Sequence, residues 1–308
     1  MGEILLSTIN LGKTFGEVIA LEDINIQAKS NSVLGLIGSN GAGKTTFIKC
    51  CCGLTIPSSG SIMIGKEKIS QGSLEYLKDI GAVLEGNRNI YHNLTILENL
   101  HYFGGLRGLS KKVIDARSEY LLELFDLKTK AHTQCGSLSR GMQQKVSIIC
   151  ALLHQPKILF LDEPTLGLDY DASLAMKQAI REIVSDDTVI IVTSHDLRFI
   201  SDVCTELVVI QRGKIIYQGD VASIRKLSDH SNLVIKITPN SKNPEISQFI
   251  NLSTFDKDSG VYQFKITSSK DIYDLIEKMQ VQNIEIENIT QRDYALEDLY
   301  IYLNKQDL

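Results

Sequence analysis

Three short apolar runs, residues 33–37, 158–161 and 189–192, are each followed at once by glycine or polar residues, reading VLGLIGSNGAGKT, KILFLDEP and TVIIVTSHD. None of them alternates, which suits strands buried on both faces of a largely parallel sheet. Such sheets bind ligands at the carboxyl ends of their strands, so the polar residues after each run are candidate site residues. ALEDINIQA and SGSIMIGKEKI alternate instead, as half-exposed antiparallel strands do, and ELVVIQRGKIIYQGD reads as two strands joined at Arg212-Gly213. From about residue 90 to 135 the period becomes helical, with Val113, Tyr120, Leu121, Leu124 and Leu127 able to share one face. Together these patterns predict an α/β domain carrying a helical insertion.

Near residues 225–232 the segment RKLSDHSN is polar, and a new pattern begins after it. NLVIKIT, VYQFKIT and NIEIENI alternate, while KDIYDLIEKMQ and YALEDLYIYLN carry apolar residues at helical spacing. The expected organisation is a first domain over residues 1–225 and a small α+β domain over 226–308, the latter without a catalytic motif. Composition agrees: 43% hydrophobic and 22% charged residues describe an ordinary globular chain of 308 residues, long enough for two cores. A net charge of −5 leaves no broad basic footprint, so nucleic acid is not an expected partner.

The apolar runs stop at four or five residues, whereas a spanning helix needs about 20, and MGEILLSTIN lacks the basic and long apolar regions of a signal peptide. Leu6 also stands where a myristoylation pattern requires Ser or Thr. The chain is therefore expected to stay in the cytoplasm. Cys50, Cys51, Cys52, Cys135, Cys150 and Cys204 show neither zinc nor redox spacing and read as small apolar residues.

Gly38-Ser39-Asn40-Gly41-Ala42-Gly43-Lys44-Thr45 fits G-x-x-x-x-G-K-[ST] between a strand and a plausible helix, with Thr46 next in line. Glycines let successive backbone N–H groups turn onto a phosphate, and the helix that follows adds the positive end of its dipole. Lys44 would meet the β and γ phosphates and the Thr45 hydroxyl would ligate Mg2+. The second run ends in Asp162 and Glu163, one carboxylate to hold the magnesium shell and one to orient and deprotonate an attacking water. Hydrolysis of a nucleoside triphosphate is the reaction such a set serves.

With these motifs in hand the chain resembles the nucleotide-binding subunits of ABC transporters. Leu138-Ser139-Arg140-Gly141-Met142 stands in the place of that family's signature, Asp162 follows Ser139 by 23 residues, Gly167-Leu168-Asp169 is similar to its D-loop, and His195 lies 32 residues beyond Glu163. The resemblance implies a P-loop NTPase fold: a RecA-like parallel core, an antiparallel β-subdomain and a helical subdomain. It further implies ATP and Mg2+ as cofactors, with two subunits sandwiching ATP head to tail. Ser139 and Gly141 would reach the γ-phosphate held by the partner's Lys44, His195 would contact it from its own subunit, and Asp169 would link the two sites. Asp169 can equally be ordinary turn chemistry after Gly-Leu. Phe15 occupies the place where the family stacks an aromatic ring on adenine; the other reading is a core phenylalanine.

Two departures stand out. Glu85 replaces the family's usual glutamine after the strand entering the helical subdomain, and would serve as a magnesium ligand or else as a solvent-facing loop carboxylate. Arg140 and Met142 replace the signature's usual glycine and glutamine. These features and the C-terminal extension resemble the exporter branch that handles drugs, antibiotics or cell-surface polysaccharides. The implied partners are a membrane permease and a second copy of the chain or a paralogue, placing the protein peripherally on the inner face of the cell membrane. Asn87, Arg88, Tyr91 and His92 are candidate permease contacts. The alternative is an ABC ATPase without a permease, of the iron–sulfur assembly kind.

Overall fold

The structure is a computed structural model and describes residues 2–69, 75–86, 89–184, 187–227, 231–237, 252–256, 261–266, 269–281, 286–292 and 296. The expected contacts Asn87 and Arg88, and most of YALEDLYIYLN, lie outside the described residues. Two compact units divide between Val221 and Ala222.

In the first unit β1 (Ile4–Phe15), β2 (Val18–Ile24) and β3 (Gln27–Lys29) begin an antiparallel sheet. Next, β4 (Ser32–Ile37) enters the core and leads through the glycine loop into α1 (Lys44–Cys51), after which β5 (Ser59–Ile64) and β6 (Glu67–Lys68) return to the first sheet. β7 (Ile80–Val83) precedes the helical segment α2 (Ile96–Leu106), α3 (Lys111–Leu124) and α4 (Arg140–Leu152). Then follow β8 (Ile158–Asp162), α5 (Tyr170–Ile183), β9 (Val189–Thr193), α6 (Leu197–Val203), β10 (Glu206–Gln211) and β11 (Lys214–Asp220), while α7 (Val221–Leu227) starts at the last residue of this unit and otherwise belongs to the second.

The core sheet runs β11-β10-β4-β9-β8-β7, parallel throughout except for the β10–β11 hairpin. Its turn falls at Arg212-Gly213, both at positive φ, as a two-residue hairpin requires. Every residue of β4, β8 and β9 is buried, because helices or the second sheet cover both faces. Leu34 and Leu36 of β4, Phe160 of β8 and Ile191 of β9 share one core with Phe47 and Ile48 of α1. Each such side chain contributes about 1.5–3 kcal/mol on burial, enough to hold the strand ends and α1 in a fixed relation.

The helical segment corrects one expectation. Leu121 is buried, but Val113 and Tyr120 are exposed, at 43% and 55%. The buried stripe of α3 is Ile114, Ser118, Leu121 and Leu122, and Val113 and Tyr120 fall about a third of a turn from it. Arg107, at the end of α2, donates to the carbonyls of Leu77 and Ile80, at 2.7 and 3.3 Å, and His154 Nε2 donates to the Ile80 carbonyl at 2.9 Å. Helices α2 and α4 thereby grip the start of β7. Burial, and then the neighbouring Arg107, hold His154 below the ordinary imidazole value. Sign follows directly: the unfolded chain takes up a proton near pH 6.5 that the folded chain refuses until lower pH, so stability falls across that window. His154→Gln should flatten this acid-side fall, read from melting temperature against pH between about 7 and 5.

In the second unit β12 (Ser231–Ile237), β13 (Leu252–Asp256), β14 (Val261–Ile266) and β15 (Ile286–Arg292) form an antiparallel sheet in the order β13-β14-β12-β15, with α8 (Ser269–Val281) between β14 and β15. Phe264 of β14 and Leu275 and Met279 of α8 are buried.

Candidate nucleotide site

The residues after β4, β8 and β9 converge, as the parallel topology dictates. Gly43, the cap of α1, has φ 114°, and a β-carbon there would lie 2.5 Å from the Ala20 carbonyl oxygen, so only glycine lets the loop enter the helix. Lys44 is 7% exposed, its ammonium donating to the carbonyls of Gly38 at 2.7 Å and Ser39 at 3.2 Å. The charge is thus held at the mouth of the loop by carbonyls that phosphate oxygens can replace.

Asp162 ends β8 and is 1% exposed. Its Oδ1 accepts from the Thr193 hydroxyl at 2.6 Å and its Oδ2 from the Thr45 hydroxyl at 3.0 Å. Thr193 was not singled out from the sequence. It sits opposite Asp162 in the β8–β9 register, and its oxygen also accepts the Glu163 N–H at 2.9 Å, so one hydroxyl positions both carboxylate residues. Glu163 has φ 51°, an uncommon conformation for glutamate that turns its side chain to His195. His195 Nδ1 donates to Glu163 Oε2 at 2.9 Å, the glutamate side chain 10% and the histidine 63% exposed. A carboxylate oriented by an imidazole beside a phosphate loop can align and deprotonate water.

Glu85 is exposed in the loop after β7, yet it lines a cavity together with Asp162, Glu163, Arg140, Gln143 and Gln144. Asn89 pins that loop, donating to the Leu84 carbonyl at 2.7 Å and to Gly86 at 3.1 Å. Tyr91 is 48% exposed and packs edge-on to Tyr102 at 4.9 Å. Fully buried Asn99, another residue passed over in the sequence, accepts the Tyr91 N–H at 2.8 Å and donates to the carbonyls of Tyr91 and Thr95, both at 3.0 Å. A lone amide inside the apolar stripe of α2 is the signal that would have found it.

Phe15, at the tip of the β1–β2 hairpin, is 50% exposed, which sets aside the core alternative. The Lys13 ammonium lies 4.7 Å from its ring centroid and donates to the Ile56 carbonyl at 2.8 Å, a cation–π contact that steadies the ring. Phe15→Ala should weaken ATP binding by about 1–3 kcal/mol, roughly 5- to 150-fold, with GTP weakened alike, as titration with fluorescent nucleotide would show.

Ser139 and Asp169 behave differently. Ser139 caps α4, its hydroxyl accepting the Met142 N–H at 3.3 Å, and Asp169 caps α5, accepting the Ala172 N–H at 2.8 Å. Among the described residues no hydrogen bond joins either to the phosphate loop, and Gly141 faces Leu168 and Ala172. All six cysteines are buried and free; burial pushes Cys50 up to about 11 and Cys52 up to about 12, so they stay protonated and apolar.

Thr45, Asp162 and Glu85 offer hard oxygen donors suited to Mg2+. Among the described residues no cluster of three or more His, Cys, Asp or Glu side chains is placed to hold a metal ion.

Residues 21–166 match the family described as ABC transporter. Over 208 residues, 67% of this chain and 84% of the relative, the sequence is 35% identical to the ABC transporter ATP-binding protein NatA of Bacillus subtilis. It is 33% identical over 215 residues, 70% of the chain and 71% of the relative, to the Nod factor export ATP-binding protein I of Cupriavidus metallidurans. Among solved structures, cbiO1 from Clostridium perfringens, part of the transporter complex cbiONQ, superposes with a TM-score of 0.67 at 26% identity, covering 73% of this chain and 94% of that one.

Proposed function

The chain belongs to the ATP-binding subunits of the ABC transporter family and is an ATP hydrolase, and from that premise we propose that two copies, or one copy and a paralogue, close head to tail on ATP and drive export through a separate membrane permease. The observation that carries this reading is the Glu163–His195 pair at 2.9 Å, set beside an Asp162 that Thr45 and Thr193 hold. Adenine stacks on Phe15. The backbone N–H groups of Gly38, Ser39, Asn40, Gly41, Ala42 and Gly43 cradle the phosphates with Lys44, Thr45 and Thr46, at the positive end of α1. Thr45, Asp162 and Glu85 would hold Mg2+, which would neutralise charge on the bound triphosphate. Glu163 takes the proton from water, and His195 orients Glu163 and meets the γ-phosphate.

Ser139, Gly141 and Asp169 serve the partner's half of the site, a reading supported by Ser139 and Asp169 being exposed helix caps with no hydrogen bond to the phosphate loop among the described residues. Residues 1–225 form the ATPase domain and 226–308 an accessory domain. Export is supported by the Nod factor export relative and by the departures at Glu85 and Arg140. Among the described residues no helix is long and apolar enough to cross a membrane. On this reading a separate permease chain holds the protein at the inner membrane face. The loop at Tyr91 and His92 with its Asn99 clamp is the docking site. The test is purification of the tagged full chain from detergent-solubilised membranes of its own source. A multi-spanning protein that co-purifies and alters ATP turnover supports the reading. A chain that stays soluble and partner-free overturns it in favour of an ABC ATPase without a permease.

A further inference from the structure

The cavity that Asp162 joins to the phosphate loop through Thr45 brings together three carboxylates, those of Glu85, Asp162 and Glu163, and on the reading above a bound triphosphate adds further negative charge there. Two nearby donors are engaged: Lys44 bonds its own loop carbonyls and the His195 ring bonds Glu163. Among the described residues that line the cavity, with His92 also on the wall, the one lysine or arginine is Arg140. Its place is unusual in three respects. It is the first residue of α4, where a cation opposes the helix dipole, so the position itself does not favour arginine. Its guanidinium lies against Gly167, where a β-carbon would come within 2.5 Å of Nη1 and 2.7 Å of Cζ and where φ is 72°, so the glycine admits the arginine as well as the turn. Among the described residues the guanidinium makes no ion pair, which leaves its donors available to the cavity.

We propose that Arg140 is a positioning residue for ATP hydrolysis within its own subunit: its guanidinium offsets the added carboxylate of Glu85 and fixes the Gly167 turn beside Glu163. Arg140 and Glu85 are then a compensating pair, each tolerable because the other is present. Removing the cation leaves the charge of Glu85, offset only in part by the Mg2+ it would help hold, against the γ-phosphate, and removing both charges restores that balance. The proposal rests on Glu85 and Glu163 lying at the γ-phosphate.

A double-mutant cycle tests it, with Arg140→Ala, Glu85→Gln and the combined variant measured for kcat, KM for MgATP, affinity for a fluorescent ATP analogue and melting temperature. Arg140→Ala should lower kcat about tenfold with analogue affinity reduced less than about threefold, and Glu85→Gln added to it should recover most of the loss. Arg140→Lys should keep more activity than Arg140→Ala, since charge is the shared feature. Losses that multiply in the combined variant, or a fall in melting temperature that tracks the fall in kcat in every variant, would overturn the pairing. If Glu163→Gln still turns over at the wild-type rate, the site reading fails instead, so the two failures are distinguishable.

Discussion

Glu163→Gln lowers ATP turnover by about 10²- to 10⁴-fold while leaving ATP binding nearly intact, and it holds the protein in the closed, ATP-bound dimer. The amide keeps the shape of the carboxylate and can still meet His195, but it cannot take a proton from water. Nothing in the phosphate loop depends on this side chain: Lys44 is held by Gly38 and Ser39, and Asp162 by Thr45 and Thr193. Binding and chemistry therefore separate, with kcat falling and the dissociation constant staying within a few-fold of wild type, about 1 kcal/mol or less. Single-turnover hydrolysis together with size-exclusion chromatography in ATP reads both. Rapid hydrolysis by this variant would remove Glu163 as the base.

Lys44→Ala acts one step earlier. Lys44 is nearly fully buried and its ammonium is held by two carbonyls, so exchanging these for phosphate oxygens replaces neutral acceptors with charged ones. A charge-assisted bond of this kind contributes about 1.5–3 kcal/mol, so affinity for ATP should fall roughly 10- to 150-fold, and turnover with it. Lys44→Arg should not rescue, because a planar guanidinium is larger than the ammonium that the Gly38 and Ser39 carbonyls hold in a nearly buried position. Equilibrium titration with a fluorescent nucleotide decides the point, with the melting temperature checked because the freed carbonyls of Gly38 and Ser39 lose their donor.

The core strands were legible because an unbroken apolar run has few other uses, and the phosphate loop because glycine, lysine and threonine at fixed spacing follow such a run. The hairpin at Arg212-Gly213 was legible for the same local reason. What was not legible depended on neighbours distant in the chain. Thr193 earns its role only through its register opposite Asp162, and Asn99 through the loop it clamps. The stripe on α3 was misplaced at Val113 and Tyr120, because the leucines nearby fit two adjacent faces until the packing of Ile114 and Ser118 selects one. Asp169 shows how two readings coexist: it caps α5 within its own chain, and a cap at the N-terminus of an exposed helix is also where a partner subunit can make contact.

The central claim is that ATP is hydrolysed at a site divided between two copies, Lys44 and Glu163 from one and Ser139 and Gly141 from the other. Mixing two variants tests it most directly. Lys44→Ala and Ser139→Arg are each expected to be inactive alone, yet a mixed dimer joins the intact Lys44 of one chain to the intact Ser139 of the other. Random pairing in a two-fold dimer predicts recovery to about a quarter of the wild-type rate. A mixture as inactive as its components, under conditions where mixed dimers are seen to form, would contradict the account.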